Sequence, residues 1–128
     1  MLKIILIAVV AMHGIGHVLF LVPLFATDGW GQSTRSWLLG EDTPARLIGG
    51  ALWLSVIVAF GAAVVGMIGG QAWWRVAAVV ASVASLIGLA LFWRSPASSS
   101  AVIAGVVNIA ILIALLIAQW PPADVMGA

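Results

Sequence analysis

His13 and His17 are the two histidines of the chain, and they sit one helical turn apart inside an apolar stretch running from about Ile4 to Ala26. At spacing i, i+4 the rings share one face of a helix and can address the same ligand, ion or partner. A neutral imidazole can ligate a haem iron, a chlorophyll magnesium, copper or zinc, hydrogen-bond a quinone carbonyl, or pass a proton. Ionisable groups at the centre of a stretch this apolar are costly in lipid and usually have a task there. In His13-Gly14-Ile15-Gly16-His17 the glycines keep the backbone open to a flat ligand or a neighbouring helix. Their cost in helix propensity argues against accident.

The rest of the chain narrows this chemistry. No Asp, Glu, Cys or further His falls in any other apolar stretch, so a metal site built from this chain alone would be incomplete. His13 and His17 would serve a metal only as axial ligands of a cofactor or with ligands from a partner. Asn108 is a weak ligand for zinc or copper. The densest charge, Asp28, Arg35, Glu41 and Asp42, lies in one connecting segment. No nucleophile-base pair, P-loop or dinucleotide motif is present. A zinc hydrolase and a carboxylate-driven proton carrier both lack their residues, and no pairing of side chains favours an enzyme.

Hydrophobic residues make up 64% of the chain, charged residues 7%, and the mean hydropathy is +1.25. A soluble domain carries about a quarter charged residues, so the expected solvent for most of this chain is lipid. Cysteine is absent, which excludes disulfides, thiolate ligation and thiol nucleophiles and fits a bacterial inner (cytoplasmic) membrane. A net charge of +1 offers no basic surface for nucleic acid. The first apolar stretch is too long for a signal peptide. It is preceded only by Lys3, and Pro23-Leu24-Phe25 does not make a small-x-small site before Ala26. It therefore reads as a retained helix, with no cleaved signal peptide.

A length of 128 residues holds about four spans of roughly 20–25 residues each. The expected fold is a single all-α domain, an integral membrane bundle of four transmembrane helices running up-down-up-down. The spans cover about residues 2–26, 44–69, 71–93 and 96–120, with an interfacial loop at 27–43. Thr43-Pro44 and Ser95-Pro96 read as cap-plus-proline starts, Gly69-Gly70 as a tight turn, and Pro121-Pro122 as a stop before a frayed tail. In the loop, Ser33 and Gly40 bracket a short surface helix carrying Trp37 and Leu38. Trp73, Trp74 and Trp120 fall at one expected interface, and Trp30, Trp37 and Trp93 at the other, while Trp53 lies deeper, inside the bundle. Small residues repeat at spacing four in Ala77-Ala81-Ser85, Ala110-Ala114-Ala118 and Gly66-Gly70, a pattern that lets membrane helices approach closely. Lys3 and Arg75 on the side of the termini nearly balance Arg35, Arg46 and Arg94 opposite, with a slight lean to cytoplasmic termini. Size and layout resemble those of small bacterial membrane proteins, including DoxX-like ones, and no motif carries a family's residue roles across.

Each span carries polar groups near its midpoint: His13 in the first, Ser55 in the second, Ser82 and Ser85 in the third, Asn108 in the fourth. A serine can be interhelical glue, at about 0.6 kcal/mol, or bond back to its own helix. A buried amide such as Asn108 must place two donors and an acceptor. Asn108 is therefore expected to face His13 or His17, with the first and last helices as neighbours. The functional expectation is a small membrane binding or accessory subunit, associated with other membrane subunits or with itself. It would hold a flat or apolar cofactor, a haem, chlorophyll-type pigment or quinone, against His13 and His17, with Trp53 and Asn108 in support. The alternatives are a small membrane enzyme or carrier for a lipid-like or isoprenoid substrate, using the histidines as acid-base groups, and a purely structural subunit.

Overall fold

A computed structural model of the chain describes residues 1–25, 35–92 and 98–127. Among them the elements are α1 (Leu2–Gly16), α2 (Val18–Leu21), a 3-10 turn (Val22–Leu24), α3 (Thr43–Ile68), α4 (Trp74–Leu91), α5 (Ser98–Leu112) continued by a π-helical turn (Ile113–Ile117), and α6 (Ala123–Met126). The fold is all-helical, with one isolated bridge between Ser36 and Gly40 among the described residues. Four helical stretches, Leu2–Leu24, Thr43–Ile68, Trp74–Leu91 and Ser100–Ile117, are long and apolar enough to cross a membrane. Trp30, Ser33, Trp93, Arg94 and the Ser95-Pro96 helix start lie outside the described residues.

The first stretch is not one regular helix. At His17 the backbone N–H bonds to Gly14 O at 3.2 Å, an i→i−3 contact, which tightens the chain between α1 and α2. Pro23, which has no N–H to give, sits in the closing 3-10 turn. α4 begins at Trp74 rather than at Gln71 or Ala72, because Gly70 turns the chain at φ +63 and the Gln71 N–H is spent on Gly66 O. α5 loses regular geometry after Leu112 and stops before Trp120. There the π turn ends on Ala118 N–H bonded to Ile113 O, and Gln119 takes φ +50.

α3 is the centre of the bundle: α1 and α4 pack on it, and α5 packs on α4. The core holds Leu24, Trp53, Phe60, Met67 and Phe92, all nearly inaccessible. Glycines make room for these rings. A Cβ on Gly14 would stand 2.7 Å from Phe60 Cβ, and one on Gly88 would stand 2.7 Å from the Trp53 ring. Gly66 does the same for Trp74, which is buried under α3, while its neighbour Trp73 is exposed. The Ala110-Ala114-Ala118 stripe is not packed as a whole against another helix of this chain. Ala110 and Ala118 are exposed, and α5 instead turns Ala104 and Asn108 inward, one turn apart. The helix phase follows the amide, whose donors and acceptor are costly to leave without partners in an apolar setting.

Two segments differ from expectation in kind. Residues 36–40 form a tight turn, not a helix. Ser36 and Gly40 exchange backbone bonds at 2.9 and 3.0 Å, Gly40 takes φ +82, and Ser36 Oγ accepts from Leu39 N–H at 3.1 Å. This turn caps α4, whose last carbonyls lack partners of their own. The Ser36 hydroxyl donates to Leu91 O at 2.7 Å and the Trp37 indole to Ala90 O at 2.5 Å. Trp37 and Leu38 remain exposed, as expected of the loop. The tail is not frayed either. α6 buries Met126 completely, Gly127 O lies against Gly70, and the Arg75 guanidinium donates to Pro121 O.

The two glycines between the histidines therefore have separate duties. Gly14→Ala forces a methyl into Phe60 and is expected to destabilise the fold by about 1–3 kcal/mol. A Cβ on Gly16 meets nothing within 4 Å, so Gly16→Ala should be neutral or stabilising by up to about 1 kcal/mol through helix propensity. Thermal unfolding of the two variants in detergent checks the contrast; equal losses would contradict the packing.

Candidate functional site

The distortion at His17 is where the site begins. Because the His17 N–H is drawn to Gly14 O, the carbonyl of His13 is released from its usual helical partner. The His17 ring takes it instead, donating from Nδ1 at 2.8 Å. A carbonyl oxygen only accepts, so Nδ1 carries the proton, and the other nitrogen of the neutral ring, Nε2, is an acceptor. It lies 2.7 Å from Ser85 Oγ on α4, which must donate to it. Ser85 Oγ in turn accepts from Asn108 Nδ2 on α5 at 2.6 Å. Asn108 Oδ1 is left to accept from His13 Nε2, 2.8 Å away on α1.

Every bond in this chain has its direction set by the one before it. Exchanging the oxygen and nitrogen of the Asn108 amide would require Ser85 to donate two protons with one hydroxyl. The result is a relay of neutral groups that leaves His13 Nε2, crosses α5 and α4, and returns through His17 to the carbonyl of His13. Ser85, Asn108 and His17 are almost wholly buried, and His13 is half-buried. Aromatic rings wall the site. Phe60 stands edge-on to His13 with centroids 5.0 Å apart, and Phe20, Phe60 and Trp53 surround His17 at 5.6, 5.5 and 5.9 Å.

Of the residues singled out in the sequence, His13, His17 and Asn108 are thus joined in one network, and Trp53 packs beside it without a polar contact to it. Ser85 emerges as the central member, bonded to two partners from two other helices. The remaining midpoint serines do not join. Ser55 is exposed and donates to Ala51 O of its own helix at 2.7 Å, which satisfies it without a neighbour. Ser82 is fully buried and its Oγ has no partner. The choice of Ser85 over Ser82 depends on the rotation of α4, which spacing alone does not encode.

α1 and α5 do not close tightly as neighbours. The Asn108–His13 bond spans their seam, and beside it an apolar cavity of about 400 Å³ opens between α1–α2 and α5. His13 and His17 line it together with Met12, Phe20, Ile103 and Val107. Met12 and Ile103 are strongly exposed, so the cavity is a groove reaching the outer surface of the bundle. His13 Nδ1 is the one imidazole nitrogen without a protein partner among the described residues.

This arrangement suits hydrogen bonding better than metal ligation. A haem or chlorophyll metal needs a free imidazole lone pair. His17 has both nitrogens committed and is 1% exposed, so it can ligate only by breaking the relay. His13 offers only Nδ1. Among the described residues no three His, Cys, Asp or Glu side chains gather to hold an ion. The two rings do not present two nitrogens to a common metal. Comparison with protein families, curated proteins and solved structures gives no match for the chain.

The relay makes two neighbouring serines behave oppositely. Ser85→Ala strips His17 Nε2 of its donor and Asn108 of its acceptor, and is expected to destabilise by about 1–3 kcal/mol. Ser82→Ala removes a buried hydroxyl that has no partner and should leave stability unchanged or raise it. Denaturant titration in detergent reads both; a greater loss for Ser82→Ala would contradict the assignment.

Proposed function

We propose that this chain is a small integral membrane protein, spanning the bilayer four times in up-down-up-down order, that binds an apolar, lipid-like ligand from within the membrane. The groove between α1–α2 and α5 is the binding site, and His13 is its polar contact. The observation that carries this reading is an open apolar cavity of about 400 Å³ lined by His13 and His17, the two histidines of the polar relay. Four helices of sufficient length and apolarity support insertion, and the near absence of charge and cysteine suits a bacterial inner membrane.

The shape of the groove favours a slender molecule, such as an isoprenoid or quinone-type lipid, over a macrocycle. His17 is enclosed by Phe20, Trp53 and Phe60, with no face left for a flat ring system. Its role is to hold Ser85 and thereby Asn108 in orientation, while His13 meets the ligand. Among the described residues no group is poised as a nucleophile, so binding or presentation to another membrane component fits better than catalysis. The outward residues of α5 beyond the groove, Val102, Val106 and Ile109, are left for lipid or for a neighbouring subunit.

Gly16 supplies a direct test, because it lines the groove and a Cβ there meets nothing within 4 Å. Gly16→Phe should fill the groove, keep the fold and abolish retention of apolar ligand, read by mass spectrometry of organic extracts of the purified protein. His13→Ala and His17→Ala should each lower retention, with the double variant losing little more, as expected of groups acting as a unit. Unchanged ligand content in Gly16→Phe would rule the groove out.

A further inference from the structure

We infer that the groove selects ligands that donate a hydroxyl proton, and disfavours their ether, ketone or quinone counterparts. The inference rests on the groove reading above and specifies the chemistry of its polar end. An isolated neutral histidine is indifferent to ligand polarity, because either tautomer is available and the ring can present a donor or an acceptor. His13 has lost that freedom. Its Nε2 proton is committed to Asn108 Oδ1 at 2.8 Å. Asn108 cannot turn its amide around, because Ser85 already donates to His17 Nε2 at 2.7 Å. Ser85 cannot reverse, because His17 Nδ1 must donate to the carbonyl of His13.

The relay therefore fixes the tautomer of His13 from behind, and the nitrogen left over, Nδ1, is an unprotonated acceptor. It belongs to a half-buried residue lining the groove, and it is not among the fully enclosed polar atoms that lack partners, so it retains access. A ligand hydroxyl placed against it completes the ring's hydrogen bonding. A carbonyl or ether oxygen placed there sets lone pair against lone pair in an apolar setting, where an unmet polar group is costly. The other hydroxyl in the groove, Ser100, lies eight residues along α5 from Asn108, about 12 Å of helix, so it can meet only a distant part of the same ligand. The ligand chemistry that fits is an elongated apolar body ending in a hydroxyl, either a prenyl-type alcohol or the reduced, phenolic form of a quinone-type lipid.

The test uses the full chain in lipid nanodiscs and two matched probe pairs, farnesol against farnesyl methyl ether and decylubiquinol against decylubiquinone. Dissociation constants are read from tryptophan fluorescence. The hydroxyl member of a pair should bind about tenfold more tightly, the usual scale for one hydrogen bond. Preference in only one pair identifies which source the groove takes. In parallel, ¹⁵N spectra of histidine-labelled protein should show His13 protonated at Nε2 alone, with the Nδ1 resonance shifting on addition of the hydroxyl probe. His13→Leu should bind both members of a pair alike. Equal or reversed affinities in both pairs for the unaltered protein, or a proton on His13 Nδ1, would overturn the inference while leaving the groove reading in place. Failure of all four probes to bind would remove the groove reading itself.

Discussion

An amide in an apolar interior must find partners for its donors and its acceptor, and Asn108 carries that obligation for the whole bundle. By meeting it with Ser85 on α4 and His13 on α1, the fold ties together the first and last long helices, which do not pack tightly on each other. The amide sets the rotation of α5, bringing Asn108 and Ala104 inward while the small residues Ala110 and Ala118 face out. Serine and histidine then fix the rotation of α4 and α1 relative to it. A polar relay of this kind adds little stability per bond in lipid. It favours this register, because rotating α4 or α5 away would strip Ser85, Asn108 and His17 of the partners they have here.

Packing supplies the rigidity that the relay lacks. Phe60 fits into the notch at Gly14, which brings its ring against both histidines, and Trp53 fits against Gly88. The same notch places α1 close to α3, so the histidine face of α1 is pressed toward the centre of the bundle. Gly16, two residues on, faces open space. One glycine admits a neighbouring helix and the other leaves a groove. The contrast arises because positions two apart lie on nearly opposite sides of a helix.

The two histidines are consequently unlike. His17 is committed at both nitrogens and walled by rings, and its task is internal: the tightened backbone at Gly14–His17 frees a carbonyl that the His17 ring then captures. His13 gives one nitrogen to the relay, and its other nitrogen has no protein partner among the described residues. The network thus sets a histidine held at both nitrogens beside one held at a single nitrogen. It depends on a local departure from regular helix rather than on an added loop.

Much of this was legible from residues alone. The apolar composition and the spacing of prolines and glycines mark out four long helices, because helix length and apolarity are local properties of the chain. The pair His13 and His17 stands out for the same reason, and Asn108 as the lone amide in its stretch had to turn toward partners. Helix rotation was not legible. Ser55, Ser82 and Ser85 look alike in the sequence, yet one bonds its own helix, one has no partner and one holds the relay. The burial of Trp74 shows only once Gly66 is seen to open a place for it, and the tail reads as frayed until Met126 is found buried. The sequence by itself determined which helices form and which polar groups needed partners. The tertiary structure alone decided which partners they found and where a groove was left, because those depend on how separate helices rotate against one another, and that is settled by contacts between residues far apart in the chain.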